Sequence, residues 1–149
     1  MRRFLIALAI AVTTVPGVLA AQQPEFLQPY GAPTRPFSPA VKVGNTLYLA
    51  GQVGTAANAG GSTVVPGGIE AETKQVMENI KDVLSKTGSD MDHVVKCTVF
   101  MADMKEWDAM NVVYRTYFKA NKYPARSAFG STGLALNARV EIECIATVK

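Results

Sequence analysis

Histidine is almost missing from this chain, and cysteine and tryptophan are scarce: 149 residues hold one His, two Cys and one Trp. A lone histidine, His93, leaves no second imidazole for a metal cage and no constellation for histidine-based catalysis. Cys97 and Cys144 lie far apart, with no Cys-x-x-Cys spacing, so neither a zinc site nor a dithiol redox motif is supported. No metal and no cofactor is expected. The two cysteines read either as buried thiols acting as small apolar residues or as one disulfide in an oxidising compartment. An excess of one charge is also lacking, with 15 Lys and Arg against 12 Asp and Glu. Nothing resembles the clustered basic face of a nucleic-acid binder. The Gly-rich run from Gly54 to Gly68 leads into Ile69-Glu70 rather than Lys-Ser/Thr, which argues against a phosphate-binding P-loop.

What is present begins with a leader. Met1-Arg2-Arg3 is basic, Phe4 to Leu19 is mostly apolar, and Val18-Leu19-Ala20 offers small residues before Ala21. This is the layout of a secretory signal peptide over residues 1–20, cleaved after Ala20. The alternative is an uncleaved anchor, but the run is shorter than the roughly 20 apolar residues that span a bilayer and carries Pro16. Cleavage predicts a periplasmic or secreted chain with no membrane attachment. Loss of Arg2 and Arg3 leaves 13 basic residues against 12 acidic, a net charge of +1. Small molecules or further copies of the chain are the partners such a balance suits.

Residues 21–35 carry Pro, Gln and Gly without a period and read as an extended lead-in. One domain follows over 36–149. Ala40 to Val43 and Thr46 to Val53 read as a hairpin turned at Gly44-Asn45, with Leu47, Leu49 and Val53 on one face and Tyr48, Ala50 and Gln52 on the other. Ile69, Thr73, Val76, Met77, Ile80, Val83 and Leu84 recur at helical spacing up to Lys86. The opposite face, including Glu72 and Glu78, reads as solvated. His93 to Met101 alternates as a strand. A second helix starts at Asp103, with Glu106 completing a capping-box pattern and Trp107, Met110, Tyr114, Tyr117 and Phe118 forming a core stripe. Asn111 either makes a packed hydrogen bond or points to solvent.

Two strands close the chain. In the last, Val140, Ile142, Cys144, Ala146 and Val148 share an apolar face, while Glu141 and Glu143 share the other with Ile145 and Thr147. Carboxylates on a half-buried face require partners, water or a ligand. The predicted architecture is α+β: a two-layer sandwich of one mixed sheet with two helices on one face. The uncovered face carries Tyr48, Ala50, Phe100 and Ile145, too apolar for plain exposure, and predicts self-association with cyclic symmetry.

Pro124-Ala125-Arg126-Ser127 followed by Val140-Glu141-Ile142-Glu143 resembles the signature of the Rid family, also called YjgF. Val43-Gly44-Asn45 through Ala50-Gly51-Gln52, Gly68 to Thr73 with Asn79, and Val95 to Phe100 with Asn111 to Tyr114 agree with it. The resemblance implies a chorismate-mutase-like fold, a homotrimer, and clefts between neighbouring subunits. It implies hydrolysis of an enamine or imine to a 2-keto acid and ammonia, as in a 2-iminobutanoate/2-iminopropanoate deaminase. Arg126 takes the position of the arginine that grips the substrate carboxylate, a task its planar fork performs and Lys cannot copy. Glu141 takes the position of the glutamate that activates water. Phe37, Ala50, Gly51 and Ala128 fall at substrate-binding positions. Three of these depart from the family pattern: Phe37 stands for a tyrosine, Ala50 for a serine, and Ala128 for a cysteine or threonine. Each removes a polar hydrogen-bonding group and makes the cleft more apolar. In the family sheet the last strand lies beside the one holding Cys97, so the resemblance also implies that Cys97 and Cys144 approach each other. A bond between them requires Cα atoms closer than about 7 Å.

Two functions follow from these residues. One is an exported imine deaminase that uses Arg126 and Glu141. The other is a non-catalytic trimer of the same fold that binds a small carboxylate. The ribonuclease activity also associated with the family suits neither the near-neutral charge nor the lone His93.

Overall fold

The computed structural model describes residues 21–32, 35–56 and 63–149. The leader expected over residues 1–20 lies outside the described residues. The main elements are β1 (Glu25–Leu27), β2 (Ala40–Val43), β3 (Thr46–Leu49), β4 (Gln52–Val53), α1 (Gly68–Lys86), β5 (Val94–Met101), α2 (Trp107–Tyr114), β6 (Ala125–Gly130) and β7 (Val140–Thr147). The strands form one mixed sheet in the order β1-β2-β3-β7-β5-β6, with β4 also paired to β7. Among the described strands only β5 and β6 run parallel, joined by the crossover that carries α2. The last strand in sequence therefore lies at the centre of the sheet.

Period-two burial in the strands and helical periodicity in α1 meet in one core. Val76, Met77, Ile80, Val83 and Leu84 of α1 pack with Met110 of α2 over Leu47, Val99, Met101, Val140, Ile142 and Ala146, all essentially inaccessible to solvent. Each such aliphatic side chain contributes about 1.5–3 kcal/mol by burial. Asn79, also buried, spans from α1 to the sheet: its side-chain amide donates to the carbonyls of Val53 (3.1 Å) and Thr55 (2.9 Å). Among the described residues no helix covers the other face of the sheet. There Phe100 stacks on Phe129 at 6.2 Å, and Tyr48, Val95 and Phe129 are each about half exposed. This uncovered face has the composition expected from the sequence.

Several local readings are corrected. The extended lead-in also contributes a strand that was not expected, because β1 within it pairs antiparallel with β2. The strand expected over Thr46 to Val53 is interrupted. Tyr48 opposes Ile145 and Gln52 opposes Ile142, so one residue more lies on the β3–β4 side than on β7. That extra residue is a bulge at Ala50-Gly51, which reverses the alternation. Val53 consequently opposes Glu141 on the uncovered face, and Gln52 turns to the helix side.

Glu72 is not solvated. It is buried and accepts a hydrogen bond from the backbone N–H of Arg139 at 2.8 Å. The second helix opens with a 3-10 turn over Met104–Glu106, in which the Asp103 carboxylate accepts from the Lys105 N–H. Glu106 does not turn back to complete a capping box; its Oε1 accepts from Arg139 at 2.6 Å.

Cys97 and Cys144 are bonded to each other, with Cα atoms 4.1 Å apart. They face one another across β5 and β7 on the helix side, where both are buried. The reading of two separate thiols is thereby excluded.

Candidate active site

Arg126 stands on β6, the edge strand. The parallel register places it beside Cys97 and so on the helix-facing side. Its guanidinium meets three residues of α2. Nη1 donates to Asn111 Oδ1 at 2.6 Å, and the guanidinium carbon lies 4.8 Å from the Trp107 ring centre and 4.7 Å from that of Tyr114. Trp107, Asn111 and Tyr114 are spaced by four and three residues and therefore share one helix face. Arg126 is partly buried, and among the described residues no carboxylate pairs with it. A cation held this way, with its charge uncompensated, is suited to an anion.

Asn111 thus makes the packed hydrogen bond that was one of its two expected fates. Trp107 and Tyr114 do more than the core stripe predicted. Their spacing around Asn111 was visible in the sequence, but nothing there aimed them at Arg126. Ala128 shares the helix-facing side of β6, opposite Val99.

Glu141 lies elsewhere. It opposes Phe100 on β5 and Val53 on β4, which puts it on the uncovered face. Its carboxylate rests over Gly51: a methyl group at that glycine would collide with Glu141 Oε1. Partial burial raises the pKa of Glu141, and the neighbouring Glu143 carboxylate raises it further. Ala50 lies in the same bulge, where its N–H donates to the Pro39 carbonyl at 3.0 Å. Phe37 is half exposed in the preceding loop, with the Arg35 guanidinium 5.9 Å above its ring. Within one chain, then, Arg126 and Ala128 share one side of the sheet, and Glu141 and Gly51 share the other. A single copy does not bring Arg126 and Glu141 together.

Residues 29–148 match the family described as Endoribonuclease L-PSP. The chain belongs to this family, which is the Rid, or YjgF, family. It is 43% identical over 111 residues to the mouse protein named 2-iminobutanoate/2-iminopropanoate deaminase, covering 74% of this chain and 80% of that one. Among solved structures, YyfA of Yersinia pestis, a member of the Rid family, aligns with a TM-score of 0.76 at 33% identity, over 85% of this chain and all of its own. Yeast Mmf1 aligns with a TM-score of 0.71 at 35% identity, over 87% of this Rid chain and 98% of its own. The mixed sheet with two helices on one face is the family fold.

Proposed function

We propose that this Rid protein hydrolyses reactive enamine and imine intermediates to 2-keto acids and ammonia, at a cleft between copies of the chain in a homotrimer. One copy contributes Arg126 and a neighbour contributes Glu141. The observation that carries this reading is the Arg126 guanidinium, fixed by Asn111, Trp107 and Tyr114 and left without an acidic partner among the described residues. Its free edge is matched to a substrate carboxylate through two parallel hydrogen bonds. The opposite placement of Glu141 supports assembly from two copies, and the exposed aromatic face supplies a surface for it. Relatives about 40% identical carry the deaminase name.

In this mechanism Glu141 takes a proton from water as the oxygen attacks the imine carbon. It passes that proton to the imine nitrogen, giving a carbinolamine; the hydroxyl proton then follows to nitrogen by way of Glu141 as the carbon–nitrogen bond breaks, the carbonyl forms, and ammonia leaves a 2-keto acid. A carboxylate with a raised pKa is suited to moving protons nearer neutrality. The reaction is located in the periplasm or outside the cell, in keeping with the leader-like start; the buried Cys97–Cys144 bond supports an oxidising compartment.

A second reading is favoured by Phe37, Ala50 and Ala128, which leave the cleft without three polar groups: a trimer that binds a small carboxylate without turnover. A coupled assay separates the two. Threonine dehydratase generates the imine, and release of the 2-keto acid is followed with and without the protein. Acceleration that is lost in Arg126→Ala supports the enzyme. No acceleration, with carboxylate-dependent thermal stabilisation that is still lost in Arg126→Ala, supports the binder.

A further inference from the structure

The arginine that the proposed function relies on is built into an unusual environment. Long, flexible Arg side chains normally lose affinity for a ligand because they must first be immobilised. Here Trp107 and Tyr114 set ring faces 4.8 and 4.7 Å from the guanidinium carbon, and Asn111 fixes one terminal nitrogen. Among the described residues, Nε and Nη2 donate to no protein group. The bonded corner is thus turned to α2, and the edge that forms a bidentate pair stays available. Tyr114 is almost wholly buried, and among the described residues its hydroxyl has no hydrogen-bond partner. What the fold uses at this position is the ring. Trp107 is partly buried against the core and is the only tryptophan in the chain.

We propose that Trp107 and Tyr114 are positioning residues, an aromatic clamp that holds Arg126 in its carboxylate-binding orientation before a ligand arrives. The inference rests on the carboxylate role of Arg126 and adds to it a mechanism of preorganisation. It also makes Trp107 a built-in reporter: a carboxylate that pairs with Arg126 changes the charge beside the only indole. The clamp stabilises ground state and transition state alike, since both present the same carboxylate. Its loss therefore raises KM and leaves kcat nearly unchanged.

The probe is 2-oxobutanoate, titrated against the full-length protein. Trp107 emission is followed in the wild type and Arg126→Ala. Calorimetry is used for Trp107→Phe, Trp107→Leu and Tyr114→Phe, each checked for native circular dichroism. The wild type is expected to show a saturable emission change that Arg126→Ala lacks. Trp107→Leu is expected to bind roughly 3- to 10-fold more weakly, the cost of immobilising a free arginine. Trp107→Phe and Tyr114→Phe keep an aromatic face and are expected to stay within about 2-fold of wild type. In the deaminase assay Trp107→Leu is expected to raise KM by the same factor. If the wild type binds and Trp107→Leu binds equally well, the clamp is wrong while the carboxylate role of Arg126 stands. If Tyr114→Phe loses affinity, its hydroxyl and not its ring serves the ligand, and the clamp is again wrong. If Arg126→Ala binds as the wild type does, or the wild type neither binds nor turns over, the functional reading fails and the clamp with it.

Discussion

Reduction of the Cys97–Cys144 bond is expected to cost this protein much of its stability. The bond closes a loop across a sequence separation of 47 residues. Chain-entropy reasoning assigns a loop of that length about 4 kcal/mol of stabilisation, by restricting the unfolded chain. The folded side changes little, because β5 and β7 remain hydrogen-bonded and the two buried thiols still fill the same space. For a domain of this size about 4 kcal/mol corresponds to a fall of roughly 13–17 °C in Tm. The assay is urea unfolding of the oxidised and the dithiothreitol-reduced protein, followed by circular dichroism, with Cys97→Ala/Cys144→Ala as a control that cannot re-form the bond. The oxidised protein, unfolded without reductant, is expected to show no free thiol. Coincident unfolding curves for the oxidised and reduced forms would refute the entropic reasoning, and two titratable thiols in the unreduced protein would refute the bond itself.

Further outcomes follow from the same contacts. Gly51→Ala places a methyl group against Glu141 Oε1 and is expected to lower kcat on the order of 10- to 100-fold by displacing that carboxylate, with Tm nearly unchanged. Equal turnover by Gly51→Ala and wild type would show that the position of Glu141 does not matter. Because burial and Glu143 raise the pKa of Glu141, the native state holds its proton more tightly than the unfolded state. Its contribution to stability is full below the ordinary carboxylate pKa and is lost as pH rises through the raised value. Glu141→Gln is expected to flatten that decline in urea midpoints measured from pH 4 to 8, and parallel curves would contradict the burial. Asn79→Ala leaves the Val53 and Thr55 carbonyls without their donor and is expected to cost roughly 1–3 kcal/mol in the same unfolding assay. An unchanged midpoint would mean that those carbonyls find water instead.

The architecture was legible because burial follows simple periods. The spacing of Ile69 through Leu84 and the alternation of Val140 through Ala146 specify a helix and a strand with one buried face; the central position of that strand is seen in the sheet order. The bulge at Ala50-Gly51 was not legible, since alternation read along one strand cannot reveal an extra residue that shows only against its partner. Three residues of β1 are too few to carry a period, so their pairing with β2 was hidden as well. Glu72 looked solvated because the N–H that holds it belongs to Arg139, far along the chain. At the candidate site, the residues came from the family resemblance, while their placement on opposite sides of the sheet comes from strand register. The role of Trp107 and Tyr114 required the position of Arg126, and aromatic side chains on a helix facing a sheet look the same whether or not they hold a cation.

The central place of β7 carries a consequence for biosynthesis. β3 and β5 are joined only through that strand, which comprises residues 140–147. Until those residues are synthesised, the growing polypeptide has β1-β2-β3 and β5-β6 as two half-sheets with no strand between them. Truncation anywhere before Val140 should accordingly yield not a smaller version of the protein but a chain that proteases clear.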